Sequence, residues 1–240
     1  MKRLTEAWFR FKGIDSRDMG IVFKQMPVRY LPGRNVTRKH VSGADGSRAY
    51  GDGTFGDAKV QMELDLRDES KMVDVVAWLT GSGELVFSDE PNLAYEASIE
   101  REYSRASIAA RMSGQRFTVM WTCKPFRRML PAADPITLTA SGYINNPGTA
   151  YSLPKITIRG NGDFYLTINT QKMYFNDVDD GIVLDSELVD AFNLEESLLC
   201  NNNVSGEFFR LQPGMNLIKW ELGDGANIES VTVEPRWRCI

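Results

Sequence analysis

The chain is expected to be mainly β, with an α+β N-terminal half followed by a β-sandwich. Three observations lead there. Short segments rich in β-branched and aromatic residues recur along its 240 residues, each bounded by Gly, Pro, Asn or Asp. Only one stretch spaces its apolar residues convincingly as a helix does: Met72, Val75, Val76 and Leu79. Leu130-Pro-Ala-Ala-Asp-Pro135 sets two prolines within five residues, which stiffens the chain and disfavours helix and central strand alike. That segment divides the chain into domains 1–130 and 131–240.

The first strand is placed at Ala7-Trp-Phe-Arg-Phe-Lys12, ending at the turn residue Gly13, and the second at Ile21-Val-Phe-Lys24. Residues Val28 to Val41 carry Arg29, Arg34, Arg38, Lys39 and His40 around Pro32-Gly33, and form an exposed connection or the entry to a glycine-rich β-ribbon. Lys59-Val-Gln-Met-Glu-Leu-Asp-Leu66 alternates polar and apolar without a break, which is strand periodicity and makes it the ribbon's return strand. The helix follows, capped by Asp68 or Ser70 and stopped at Gly81. Next come a strand at Glu84–Phe87, a loop at Ser88–Asn92, strands at Ala94–Tyr103 and Ser104–Met112, and another at Arg116–Cys123 ended by Pro125.

Beyond Pro135 short strands are expected at 136–140, 155–159, 164–168, 173–176, 182–184, 207–211, 216–222 and 229–233, with a short helical signal at Leu188–Leu199. Many short strands separated by turn signals describe a sandwich.

Composition excludes several classes of function. With 28 Lys and Arg against 32 Asp and Glu, the formal charge is −4 and no long basic run appears, so the chain is not built to hold nucleic acid through its phosphates. No apolar stretch is long enough for a membrane span, and the N-terminus lacks the apolar core of a signal peptide. A chain made as a soluble cytosolic protein is expected. Cys123, Cys200 and Cys239 are odd in number and far apart, which fits reduced, mostly buried thiols.

Gly51, Gly53 and Gly56 spell G-x-G-x-x-G, yet no apolar strand precedes them and no helix follows, so a hairpin is expected rather than a dinucleotide loop. Gly46 and Gly51 have Walker spacing, but Asp52 stands where the phosphate-binding Lys belongs. The single histidine, His40, has no nucleophile motif near it. Asn176-Asp-Val-Asp-Asp-Gly181 through Glu187 approximates an EF-hand loop with Asp180, Gly181 and Glu187 in place; Val178 at the third position breaks it, and an Asp-rich hairpin turn is the better reading. No catalytic residue, cofactor site or metal site is expected, although a glycosidase carboxylate pair cannot be read from spacing. Tyr174, Trp220 and Trp237 are types that stack on sugars, but aromatics in a sandwich more often fill the core.

Taken in order, Phe9-x-Phe11-x-Gly13 with Ser16 and Gly20-Ile21, Gly43-x-Asp45-Gly46, Ala77-Trp78-Leu79-x-Gly81 and Leu85-x-Phe87-Ser88-Asp89 resemble the N-terminal half of siphophage distal tail proteins (Dit). Ile156-Thr-Ile-Arg-Gly160, Tyr165-Leu-Thr-Ile-Asn169, Ile182-Val-Leu-Asp185, Phe208-Phe-Arg-Leu-Gln-Pro-Gly-Met-Asn216 and Glu234-Pro-Arg-Trp-Arg238 are similar to the family's C-terminal galectin-like domain.

The resemblance implies a structural part, not a catalyst. Residues 1–130 would be a split-barrel belt domain with one helix and a long hairpin arm, and residues 131–240 a galectin-like sandwich. Belt domains of the family close a homo-hexameric ring, single or stacked, between the tail tube protein and the tail-tip, receptor-binding or baseplate proteins. DNA passes through without specific binding, and the protein resides at the virion tail tip of a phage or prophage after synthesis in the host cytoplasm. The interface residues expected on this basis are Gly43, Asp45, Gly46, Gly51, Gly53 and Gly56 in the arm, with Gln61, Glu63 and Asp65 as a polar face turned to the lumen or a neighbour. The chain has no room for the inserted carbohydrate-binding module of some relatives. A carbohydrate-binding host-surface adhesin is the alternative.

Overall fold

The computed structural model describes residues 6–99 and 116–240. Two compact units emerge. One ends at Arg127 and takes in Ile240; the other runs from Arg128 to Cys239.

In the first unit the strands are β1 (Phe9–Phe11), β2 (Ile14–Asp15), β3 (Ile21–Phe23), β4 (Val28–Arg29), β5 (Arg34–His40), β6 (Ser47–Phe55) and β7 (Ala58–Leu66). Helix α1 (Met72–Trp78), β8 (Ser82–Phe87), β9 (Glu90–Ser98) and β10 (Arg116–Cys123) follow, and β11 (Arg127–Met129) spans the division. A curled antiparallel sheet runs β2-β1-β8-β9-β10-β7-β3, with β4 also paired to β7.

Alternation builds the core. In β7 the apolar Ala58, Val60, Met62, Leu64 and Leu66 are all buried while the residues between them are exposed or half-buried. They face Phe9, Phe11, Val75, Trp78, Leu85 and Trp121, each of which gains about 1.5–3 kcal/mol by leaving water. Trp78 fastens the helix to the sheet: its ring stacks on Phe9 at 5.4 Å, and its Nε1 donates to the Phe11 carbonyl at 2.9 Å. Asp68 accepts from Ser70 N at 3.0 Å to start the helical turn, and Gly81 leaves it at φ 83.

One expectation for this half needs correcting, and another falls partly outside the described residues. The loop at Ser88–Asn92 is a two-residue turn, Ser88–Asp89, and β9 begins at Glu90 despite Pro91. Ala94–Ser98 lies in β9, whereas the expected strand Ser104–Met112 and the end of Ala94–Tyr103 lie outside the described residues.

In the second unit the strands are β12 (Ile136–Leu138), β13 (Gly142–Asn146), β14 (Lys155–Ile168), β15 (Gln171–Val178), β16 (Gly181–Asp185), β17 (Asp190–Phe192), β18 (Val204–Ser205), β19 (Gly214–Leu222), β20 (Asn227–Glu234) and β21 (Arg238–Cys239). The expected strands 155–159 and 164–168 are one strand of 14 residues. Its first half pairs with β16 and β20, its second half with β15 and β19. Register shifts at Arg159/Gly160 and Gly162/Phe164 mark the bend where it passes between sheets, the usual way a strand turns a sheet corner. Ile156, Ile158, Phe164, Leu166 and Ile168 from both halves fill one core with Phe175, Ile218 and Val231.

The helical signal at Leu188–Leu199 is overturned. Residues 190–192 form β17 against β16, and the chain returns through the Phe192–Leu199 bridge. Residues 207–211 do not form the expected strand; the segment is tied down by the isolated Ser152–Leu211 bridge. The Asp-rich hairpin turn expected at Asn176–Glu187 is corrected: Asp179 and Asp180 (φ 61) connect β15 to β16, but the two strands do not pair with each other, β15 lying against the second half of β14 and β16 against its first half.

Candidate functional site

Among the described residues, strands β5 and β6 pair only with each other. Every residue of β5 is exposed, as is all of β6 except its last residue, Phe55. Cross-strand partners place Val36 and Arg38 with Gly51 and Ala49 on one face, and Thr37 and Lys39 with Tyr50 and Arg48 on the other. Lys39 stands directly opposite Arg48, a like-charge pair that weakens a ribbon standing alone. An isolated two-stranded ribbon is marginal in water.

The glycines have separate jobs. Gly43 (φ 78) and Gly46 (φ 76) turn the tip around Asp45. Gly51 lies within β6, where an added Cβ would meet the Asn35 carbonyl at 2.8 Å. Gly53 takes φ 81 in open space, next to Asp52, whose carboxylate accepts from Thr54 N and Oγ1 at 2.9 and 2.6 Å. Those bonds hold the Asp52 carboxyl below the usual carboxylate range. Opposite this bend the register slips at Asn35, whose Nδ2 donates to Thr54 Oγ1 at 2.8 Å.

At its root the ribbon is fastened. Gly56 N donates to the Gly33 carbonyl at 2.9 Å, and Phe55 packs edge-on against Phe126 with centroids 5.5 Å apart. Arg29, in β4, pairs with Asp89 and Glu90 and lies over the Phe87 ring, and Arg127 pairs with Glu90 at 2.9 Å.

This placement corrects the ribbon read from sequence. Its strands are 34–40 and 47–55, so Gly51 and Gly53 belong to a strand, not to the tip, and Lys59–Leu66 is not the return strand. Gln61, Glu63 and Asp65 therefore do not form a face of the ribbon: they lie on β7, on the sheet surface opposite the core. Asp65 pairs there with Lys24 at 2.9 Å and Arg116 at 3.5 Å. The structure brings the glycines and Asp45 together in the arm and the three polar residues together on the sheet, as two separate groups.

Nothing of the G-x-G-x-x-G pattern cradles a helix N-terminus, because β6 is followed by β7. His40 is exposed on the ribbon, opposite Ser47. Cys123 is buried, and burial pushes its thiol up to about 12. Of the aromatics suited to sugars, Trp237 is buried and Trp220 packs partly against the core. Tyr174 is half-buried on the opposite face, its ring 4.9 Å from the exposed Tyr165, which sequence reasoning did not single out. No helix among the described residues is long and apolar enough to cross a membrane.

No family model and no curated protein matches the chain. Solved structures do. The crystal structure of the SPP1 Dit protein (gp 19.1), described as a paradigm of the hub adsorption apparatus in phages infecting Gram-positive bacteria, superposes with a TM-score of 0.66. It has the distal tail protein fold. The likeness spans 95% of this chain and 97% of that one at 14% sequence identity, so the shared architecture includes both units.

The motifs behind the resemblance have structural reasons in this fold. Ser16 Oγ accepts from Phe9 N at 3.1 Å, Ser88 Oγ from Trp8 N at 3.1 Å, and Asp89 holds Arg29. In the second unit Asn216, fully buried, closes the Gln212-Pro-Gly-Met turn by donating to the Gln212 carbonyl and accepting from Gln212 N, both at 2.8 Å.

Proposed function

We propose that this protein is a structural component of the distal end of a siphophage or prophage tail. Residues 1–130 serve as the ring-forming belt domain and residues 131–240 as a galectin-like peripheral domain. Six copies close a ring, single or stacked, that joins the tail tube protein to the tail-tip and receptor-binding or baseplate proteins and surrounds the DNA path. The protein acts without catalysis or cofactor and resides at the tail tip of the virion.

The observation that carries this reading is a fold shared with a Dit protein over nearly all of both chains. The ribbon supports it independently. A solvated two-stranded arm, fastened at its root and paired with no other strand among the described residues, suits a head-to-tail interface that closes into a ring. Gly43, Asp45, Gly46, Gly51, Gly53 and Gly56 shape the arm, while Gln61, Glu63 and Asp65 offer a polar sheet face to the lumen or to the next subunit.

Light scattering and negative-stain imaging of the purified protein test the reading. A six-fold ring or a stack of two is expected. A strict monomer at high concentration that binds a defined glycan would refute it in favour of an adhesin, for which the surface pair Tyr165 and Tyr174 is the one supporting feature.

A further inference from the structure

Acidic charge is concentrated in one part of this chain. Residues 173–209 hold nine Asp and Glu and no Lys, Arg or His, whereas the other residues hold 23 acids against 28 Lys and Arg, a net charge of +5. The acidic stretch comprises most of β15, the Asp179–Asp180 connection, β16, β17 and the segment after them.

A cleft of about 430 Å³ opens there, lined by Asp177, Asp179, Asp180 and Glu195 beside Leu194 and Cys200. Among the described residues none of these four acids forms an ion pair, whereas Asp185 and Glu187 are held by Arg236 and Glu196 by Lys155. No three acidic groups among the described residues come close enough to share a metal ion. The charge suits a larger cationic ligand.

Next to Cys200 the surface becomes apolar. Leu198 and Leu199 are 66% and 65% exposed, and Leu188 and Val189 are exposed at the preceding turn, Val189 at φ 62, where a β-branched residue is strained. Asn193 N donates to the Leu198 carbonyl at 3.1 Å and Cys200 N to the Ala191 carbonyl at 2.7 Å. In antiparallel geometry this pattern turns the N–H and C=O of Leu199 away from β17, and among the described residues no strand pairs on that side. An edge with free backbone groups, exposed aliphatics and adjoining negative charge is a template for one more strand.

We propose that this face of the second unit binds an extended segment of a different protein, in which aliphatic residues alternate with lysine or arginine, laid alongside Leu198–Cys200. The aliphatic side chains cover Leu198 and Leu199, and the cations meet the acids of the cleft. This inference does not depend on the tail reading.

Full-length protein titrated with a fluorescent alternating Val-Lys decapeptide tests it, read by anisotropy and by hydrogen exchange. Binding that weakens with added salt, and protection confined to residues 177–203, are expected. Glu195→Lys and Leu199→Ser, both at exposed positions, should each weaken binding by about tenfold, with the exchange pattern of the core unchanged. Absence of binding at millimolar peptide overturns the proposal. So does equal binding by a Val-Glu peptide, or by a Ser-Lys peptide that lacks the aliphatics. If Glu195→Lys instead changes the oligomeric state and no peptide binds, the face belongs to a second copy of this chain and the proposal falls.

Discussion

Arg236 holds Asp185 with both arms of its guanidinium, Nη1 to Oδ1 and Nη2 to Oδ2, each at 2.8 Å. The same carboxylate accepts from the backbone N–H of Glu187 and Leu188, which fixes the turn out of β16. Burial alone would raise the Asp185 carboxyl; the Arg236 pair and the backbone donors outweigh it and hold it below its ordinary 3.8. A depressed carboxyl stabilises the fold fully above its unfolded value, and that contribution is lost as pH falls through the lower folded value. Asp185→Asn should therefore cost about 2 kcal/mol at neutral pH, since it breaks charge-assisted bonds to Arg236. The difference from wild type should shrink as pH drops below 3.8. Thermal unfolding followed from neutral to acid pH checks both halves; a constant difference would remove the ion pair from the account.

Gly160 and Gly162 allow β14 to turn between sheets. A Cβ on Gly160 would lie 2.2 Å from the Asn227 carbonyl and 2.9 Å from Ile228 Cα, backbone atoms that cannot swing aside. Gly160→Ala should destabilise the second unit by about 2–3 kcal/mol. Gly225, at φ 74 in open space, gives the comparison: its alanine should cost only about 1 kcal/mol. Urea midpoints of the two variants decide the matter, and equal costs would mean the bend can relax.

How much of this was legible depends on whether an element has two unlike faces. Strands β7 and β10 were readable because one side meets the core and the other does not, so the sequence alternates. Strand β5 was not, because every residue from Arg34 to His40 is in water and no periodicity arises. Alternation at Lys59–Leu66 recorded burial against the sheet, and reading it as the ribbon's partner put the arm one strand too late. Gly160-Asn-Gly162 looked like a turn between two strands because glycine serves a bulge as well as a turn. At 188–199 the leucine spacing imitated a helix, yet Leu188, Leu198 and Leu199 point to solvent while Ala191 is buried through pairing with Leu184. Tyr165, quoted within a motif, was not read as a surface aromatic because nothing local distinguishes an exposed aromatic on a strand from a core one.

Cys123 should be inert. It is buried on β10 with its thiol raised to about 12, so almost no thiolate exists near neutral pH. A thiol reagent at mildly alkaline pH should leave Cys123 unlabelled in native protein and label it once the chain is unfolded, with Cys200 and Cys239 reacting first. Mass spectrometry of peptide fragments reads the order, and early labelling of Cys123 would show that the β-sheet opens readily.

The polar face of β7 can be divided by the partners its residues already have. Asp65 is committed to Lys24 and Arg116, so Asp65→Lys sets three cations together and should lower stability even in a lone subunit. Gln61→Lys and Glu63→Lys should shift stability by no more than about 0.5 kcal/mol, as surface changes do. If this face meets the lumen or the next subunit, those two variants impair assembly or DNA passage while melting normally. Normal rings and infectivity from Gln61→Lys/Glu63→Lys would take the face out of the mechanism.

Gly51 and Gly53 test the arm, and the geometry now separates them. Valine at 51 would drive its Cβ into the Asn35 carbonyl and splay β5 from β6; valine at 53 would meet no atom but would be forced into a left-handed backbone that a β-branched residue avoids. Both lie outside the two cores, so neither should change the melting of the body by more than about 0.5 kcal/mol. Ring formation is where the cost should appear, because an arm of altered twist cannot lie along its neighbour. Gly51→Val should be the more severe, since it disrupts the pairing itself, and Gly43→Val, at the tip, the mildest if the contact is made along the strands. Light scattering of the three variants at matched concentration gives the ranking. Rings as abundant as wild type from Gly51→Val would mean that the ribbon takes no part in closing them.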